Sequence, residues 1–371
     1  MQRFLDQITL ERMHAAWSDG AIVGGAASFN FNVTVPGGDL PTAGVSVVGV
    51  YPTHRRRGVL RSLMRAQLDD AHGRGEPLAA LWASEESIYG RFGYGLAAFC
   101  GEISLPDEYT SFAHMSEPAG TMRFIEPEEA LEAVPPVFER IRLDWPGMFS
   151  RDRLWWENRE IKDSEERREG AGPKRWIVYE QDGAIEGYAV YRHKPGWEAG
   201  STVAELRVLE ALGATPQAFR DVWGYLLAVD WKATITASLL PPDHPLFLLL
   251  ATPRRMRYRM GDALWVRLVD VGAALSGRRY SADGSVVFDV KDDFCPWNER
   301  RWKLDGGAAA RTDDAADLSL PVQSLASAFL GGISFASLAR AGRVEELTQG
   351  ALARADALFR WDRHPWCPEI F

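Results

Sequence analysis

The sequence predicts an α/β protein: two tandem copies of one α/β unit, followed by a smaller α+β domain. The first observation is an internal repeat. HAAWSDGAIVGGAASF (14–29) and WIVYEQDGAIEGYAVYR (176–192) share the core DGAIxGxA, at 19–26 and 182–189. The second is that the residues after each copy also correspond. Both read as a strand, a short loop and an amphipathic helix, in TAGVSVVGVYPTHRRRGVLRSLM and again in STVAELRVLEALGATPQAFRDVWGYLL. The third is a change of texture near Gly261, after which short strands and helices alternate to the end of the chain.

The length of 371 residues fits this plan, being too long for one ordinary core. Hydrophobic residues make up 46% and charged residues 25%, as in a soluble globular protein. The 14 Trp favour large packed interfaces. A formal net charge of -9 argues against a general nucleic-acid binder and suits a cationic partner.

Taking the elements in order, each DG dipeptide between alternating apolar runs signals a tight hairpin. In the first copy Val45, Val47, Val48 and Val50 then form a β-branched run around Gly49, where a glycine in a strand marks a bulge or a close backbone approach. Pro52 ends the ladder, because it has no N–H to donate. Apolar residues at Val59, Leu60, Leu63, Met64 and Leu68 fall on one face of a helix, which Gly73 stops.

Arg55, Arg56, Arg57 and Gly58 therefore stand at the start of that helix. Free backbone N–H groups and the positive end of the helix dipole are already there. Arginines at that place are unfavourable by about 0.3–1 kcal/mol each unless an anion offsets them. A pyrophosphate bound at the helix start and clamped by guanidinium groups explains the pattern. The alternatives are a solvated basic turn, or ion pairs with acidic residues of another domain. The second copy reads EALGATPQ (210–217) at this place and has lost the arginine run together with the glycine that follows it.

In the third region, ALWVRLVDVGAAL reads as strand then helix and RYSADGSVVFDVKD as another DG hairpin. The end, WDRHPWCPEIF, carries Trp361, Trp366, Ile370 and Phe371 and is expected to be docked rather than frayed. Cys100, Cys295 and Cys367 are too far apart for a disulfide framework or a metal cluster, and no His pair has ligand spacing, so no metal is expected. The N-terminal residues lack the apolar core of a signal peptide, and no apolar run is long enough to span a membrane. A cytoplasmic protein is expected.

The loop PTHRRRG after a bulged strand resembles the acetyl-CoA loop of the GNAT superfamily of N-acetyltransferases. Together with ASEESIYGRFGYG (83–95) it resembles, more narrowly, the Eis family of acetyltransferases. The resemblance implies tandem GNAT folds and then a domain like sterol carrier protein: a donor-binding GNAT domain at 1–115, a second GNAT-like domain without cofactor at 116–264, and the third domain at 265–371. Acetyl-CoA is the implied co-substrate.

The resemblance also implies roles. Val48, Gly49 and Val50 would offer backbone groups to the pantetheine arm and the thioester. Arg55, Arg56, Arg57, Gly58, Val59, Leu60 and Arg61 would hold the pyrophosphate and the phosphorylated ribose. Ser84 and Glu85 open the next helix, with Ser84 as its N-cap, and would also border the donor. Tyr89 would be the general acid for the departing thiolate. The C-terminal carboxylate at Phe371 would be the general base, its basicity raised by desolvation. From the residues alone, WCPEIF reads as a packed plug.

The implied acceptor is an amine of a polycationic small molecule such as an aminoglycoside. Alternatives are a protein lysine as acceptor, or an inert protein that binds a lipid or small molecule. A homohexamer built as two trimers is implied. About 13 residues precede the first hairpin, where the family has a strand and two helices, so a chain start further upstream is expected, the alternative being a more open acceptor site.

Overall fold

A computed structural model describes residues 7–114 and 117–371. They form two compact units. One comprises the chain through Phe99, Trp145–Ser150 and Asp262–Phe371; the other comprises Cys100–Asp144 and Arg151–Gly261.

In the first unit, strands β1 (Met13–Ser18), β2 (Ala21–Val35), β3 (Gly38–Val50), β4 (Leu78–Trp82) and β5 (Gly95–Leu96) share one sheet. The Asp19–Gly20 turn has φ of 51° and 79°, the doubly left-handed geometry of a tight hairpin. β3 and β4 run parallel, so a crossover must join them, and the Val59–Gly73 helix supplies it. That helix buries Leu63, Met64, Leu68 and Ala71 on the face the spacing predicts.

Two further pieces of chain complete this sheet. The Leu264–Leu268 strand, which the sequence places at the head of the third region, lies between β4 and β5 instead. Trp145–Ser150 runs along the far end of β2, with hydrogen bonds Thr34 N to Met148 O, Gly147 N to Thr34 O and Ser150 N to Asn32 O. Both come from distant sequence, and nothing local in either announces its partner.

The rest of the first unit is a five-stranded sheet with helices at Val322–Phe329, Phe335–Arg340 and Ala351–Phe359. The Asp283–Gly284 pair does not form the hairpin expected of it, because no strand precedes it; the tight turn is Gly306–Gly307, between Arg300–Asp305 and Ala308–Arg311. The C-terminus is docked as expected: Trp366, Cys367, Glu369 and Phe371 are buried.

In the second unit, Phe99–Pro106 (β6) joins strands at 121–125, 175–181, 184–194, 205–213, 234–240 and 259–262 in a seven-stranded sheet. The Asp182–Gly183 turn repeats the first hairpin, with φ of 52° and 78°. The repeat is structural. A Cβ on Gly24 would lie 2.8 Å from Gly49 O and 3.2 Å from a Val59 methyl; one on Gly187 would lie 2.9 Å from Leu212 O and 3.1 Å from a Val222 methyl. Each glycine lets a strand approach the next strand and its helix, and the sequence spacings match.

That match shows why the second copy has no anion loop. Val59 begins the first helix, whereas Val222 stands well inside the helix Pro216–Ala228. Ala218, Phe219, Arg220 and Asp221, rather than the EALGATPQ stretch the sequence suggests, occupy the places of Arg55–Gly58 and are helical. Thr215 caps this helix, which begins earlier relative to the matched valine, and accepts from Ala218 N at 3.0 Å. Where the first copy has its cradle, the second has about one turn of helix.

Candidate active site

β3 carries a bulge. Ala27 pairs with Ser46 and Gly25 with Gly49, so Val47 and Val48 together oppose one residue of β2, and Val47 has φ of 54°. The bulge thus precedes the glycine that marked it in the sequence. The β3–β4 ladder covers only Thr42–Gly44. Beyond Gly44 the β3–β4 pairing stops, so the stretch from Val45 to Val50 stays paired with β2 but has no ladder on its β4 side.

At the end of β3 the chain turns through Pro52–His54 and the arginine loop to Gly58, which caps the Val59–Gly73 helix in a left-handed conformation (φ 83°). A cavity of about 780 Å³ opens here, lined by Val48, Gly49 and Val50, by His54 to Arg56, by Gly58 to Arg61, and by Ser84, Glu85 and Tyr89. Arg55, Arg56, Arg57 and Arg61 are exposed. None of the four has an ion-pair partner among the described residues. A helix N-terminus and unpaired guanidiniums on a cavity with apolar walls fit a diphosphate carrying a long thioester arm.

Tyr89 closes the short Glu86–Tyr89 helix and is 8% exposed. Burial raises its pKa, while a hydrogen bond with the Ser84 side chain pulls the other way. The phenol therefore stays protonated at neutral pH, as a proton donor must. Ser84 is not the N-cap expected of it. Glu85 holds that position, without a side-chain cap bond, and Ser84 points its hydroxyl to Tyr89 instead.

The turn after Tyr89 is fixed from behind. Gly93 has φ of 90°, and a Cβ on it would lie 2.1 Å from Arg267 Nη1. Only glycine fits against that guanidinium. Arg267 is fully buried and donates to Asp292 Oδ2 at 2.5 Å. Asp292 also accepts from Asn298 Nδ2 at 3.0 Å and Cys295 N at 2.9 Å. On the other side of the turn, Gln323 Nε2 donates to Gly90 O at 2.8 Å. Tyr89, Phe92 and Tyr94 share one apolar cluster with Val269, Phe294 and Cys295.

Phe371 packs edge-on against Phe29 (6.4 Å), Phe31 (5.1 Å) and Phe149 (5.2 Å). Phe29 pairs with Gly44 of β3, so the ring sits where the β3–β4 ladder ends. Trp366 N donates to Pro146 O at 2.8 Å, and Trp145 Nε1 donates to His364 O at 2.9 Å, which fixes the approach to this end.

Of the residues the sequence singles out, Val48 to Val50, Arg55, Arg56, Gly58 to Arg61, Ser84, Glu85 and Tyr89 line the one cavity. Arg57 and Phe371 do not line it. Sequence reasoning missed His54, Ile88, Arg91 and Phe92, which also line it. The first stands inside the quoted PTHRRRG motif and the others flank Tyr89, so reading whole turns would have found them.

Comparison with known proteins accords with this geometry. Residues 1–97 and 147–268 each match an acetyltransferase (GNAT) domain family, and residues 271–368 match a sterol carrier protein domain family. An uncharacterized N-acetyltransferase of Streptomyces avermitilis is 44% identical, over 97% of this chain and 90% of its own. The N-acetyltransferase Eis of Mycobacterium tuberculosis is 33% identical, over 92% of this chain and 84% of its own. The crystal structure of Eis1 from Mycobacterium abscessus superposes with a TM-score of 0.88 at 32% identity, covering 99% of this chain and 92% of that one. The chain is an acetyltransferase and belongs to the Eis-type family, with two GNAT domains and a C-terminal sterol carrier protein domain.

Proposed function

We propose that this acetyltransferase moves the acetyl group of acetyl-CoA to an amine of a polycationic small molecule of the aminoglycoside kind. The observation that carries the donor is the set of unpartnered arginines on a cavity at a helix N-terminus. The acceptor class rests on the family and on the net charge of -9, which favours cations.

Acetyl-CoA supplies an activated acyl group. The protein's part is to place it, take one proton and give one. The loop arginines and the N–H groups of the helix start hold the diphosphate. The Phe371 carboxylate takes a proton from the incoming ammonium, directly or through water. Backbone N–H groups at Val48–Val50 receive the oxygen of the carbonyl under attack. As the carbon–sulfur bond breaks, the nitrogen of the tetrahedral adduct releases its second proton to water, and Tyr89 gives its hydroxyl proton to the departing sulfur and recovers one from solvent.

A variant extended by a few residues beyond Phe371 tests the base. Thiol release from acetyl-CoA is monitored with aminoglycosides, polyamines and lysine peptides as acceptors. The extended protein is expected to bind acetyl-CoA normally and lose at least about 100-fold in kcat, the scale of a displaced general base. Equal turnover by both proteins would remove Phe371 from the mechanism. Turnover confined to lysine peptides would replace the small-molecule acceptor.

A further inference from the structure

We propose that Phe294, from the chain after the Ser285–Lys291 strand, is a positioning residue for the acetyl donor. Its ring seats Arg61 and Arg65 side by side as a paired-guanidinium site for the donor's ribose phosphate, a monoester that carries two negative charges. The inference rests on acetyl-CoA being the donor.

Arg61 and Arg65 stand one turn apart on the helix, a spacing at which like charges repel. Yet both guanidiniums are drawn to one aromatic ring: the Arg61 carbon lies 5.1 Å from the Phe294 centroid and the Arg65 carbon 4.1 Å. The attraction of cations to the ring face holds them there. Arg65 has Asp69 at 3.4 Å as a single counter-charge. Arg61 has none among the described residues, and it lines the donor cavity. The pair therefore carries uncompensated positive charge beside the donor. Along the axis the two residues lie about 5 and 10 Å past Gly58, beyond the helix start where a diphosphate would sit.

The ring itself is fixed. Phe294 is 3% exposed and meets Phe92 edge-on at 5.1 Å. Its backbone is pinned by Asp292, whose Oδ1 accepts from Phe294 N at 3.3 Å and Cys295 N at 2.9 Å. The carboxylate that holds Arg267 behind Gly93 thus also holds the ring beneath Arg61. A phosphate monoester between two guanidiniums would make the charge-assisted contacts that the ring pre-arranges.

Calorimetric titration of the full chain with CoA and with 3′-dephospho-CoA tests this. The wild type is expected to prefer CoA by about tenfold or more, the scale of one such contact. Phe294→Leu should lose that preference while its affinity for dephospho-CoA stays within about twofold, and Phe294→Tyr should keep it. Arg65→Gln, at a half-buried position on the helix, should lower the preference even if Phe294→Leu does not fold. Equal binding of the two nucleotides by the wild type, or equal weakening of both by Phe294→Leu and no change with Arg65→Gln, overturns the inference and leaves the donor reading intact. No binding of either nucleotide by the wild type would overturn the donor reading itself.

Discussion

Replacing Asp292 with Ala removes the counter-charge of Arg267 from the interior of the first unit. The side chains are 0% and 1% exposed and meet at 2.5 Å. Nε and Nη1 of Arg267 already have no hydrogen-bond partner, so Asp292 bears most of what compensates the guanidinium. Breaking a buried pair from one side typically costs about 3–5 kcal/mol, because the remaining charge stays buried. For a unit of this size, each kcal/mol lowers the melting temperature by roughly 2–4 °C. The Asp292→Ala protein should therefore melt roughly 6–20 °C lower by scanning calorimetry. Replacing both partners with apolar residues, Arg267→Met with Asp292→Leu, should recover most of the loss. A single variant that melts within about 3 °C of wild type would refute the reasoning, since the pair would then bear no uncompensated charge.

Other outcomes rest on particular residues. His244 is buried against Phe219 and Trp223, and burial lowers its pKa from 6.5 to about 3. The unfolded chain takes up the proton that the fold refuses, so stability is full above pH 6.5 and falls as pH drops from 6.5 toward 3, by about 1.4 kcal/mol per pH unit. The difference in stability between pH 7 and pH 5, read from urea unfolding, should shrink by about 2 kcal/mol in His244→Asn; an unchanged difference would count against a neutral buried imidazole. Replacing Arg55 and Arg56 together with Ala should raise KM for acetyl-CoA about 10- to 100-fold, the loss of one or two charge-assisted contacts, with kcat little changed. An unaltered KM would place the diphosphate elsewhere.

The legible parts of the fold were those written in contiguous residues. The two DG turns, the Val59–Gly73 face and the repeat around Gly24 and Gly187 each depend on neighbours within one or two elements. The arginine loop was legible because a run of charges at a helix start breaks a local electrostatic rule. The strand Leu264–Leu268, the edge piece Trp145–Ser150 and the ring of Phe294 were not, since their partners are far away in sequence and their own composition suits many settings. Ser84 shows the same limit at short range: its position favoured a helix cap, but the phenol of Tyr89 took its hydroxyl. Asp283–Gly284 had the turn chemistry without a preceding strand to pair.

Steady-state acetyl transfer by Tyr89→Phe reads out whether this cavity holds the donor with Tyr89 as its acid. The substitution keeps the ring and its packing against Tyr94, 6.0 Å away, and deletes only the hydroxyl. kcat should fall by at least about 100-fold while KM for acetyl-CoA stays within about twofold. A Tyr89→Phe enzyme with the kcat of wild type would contradict that role.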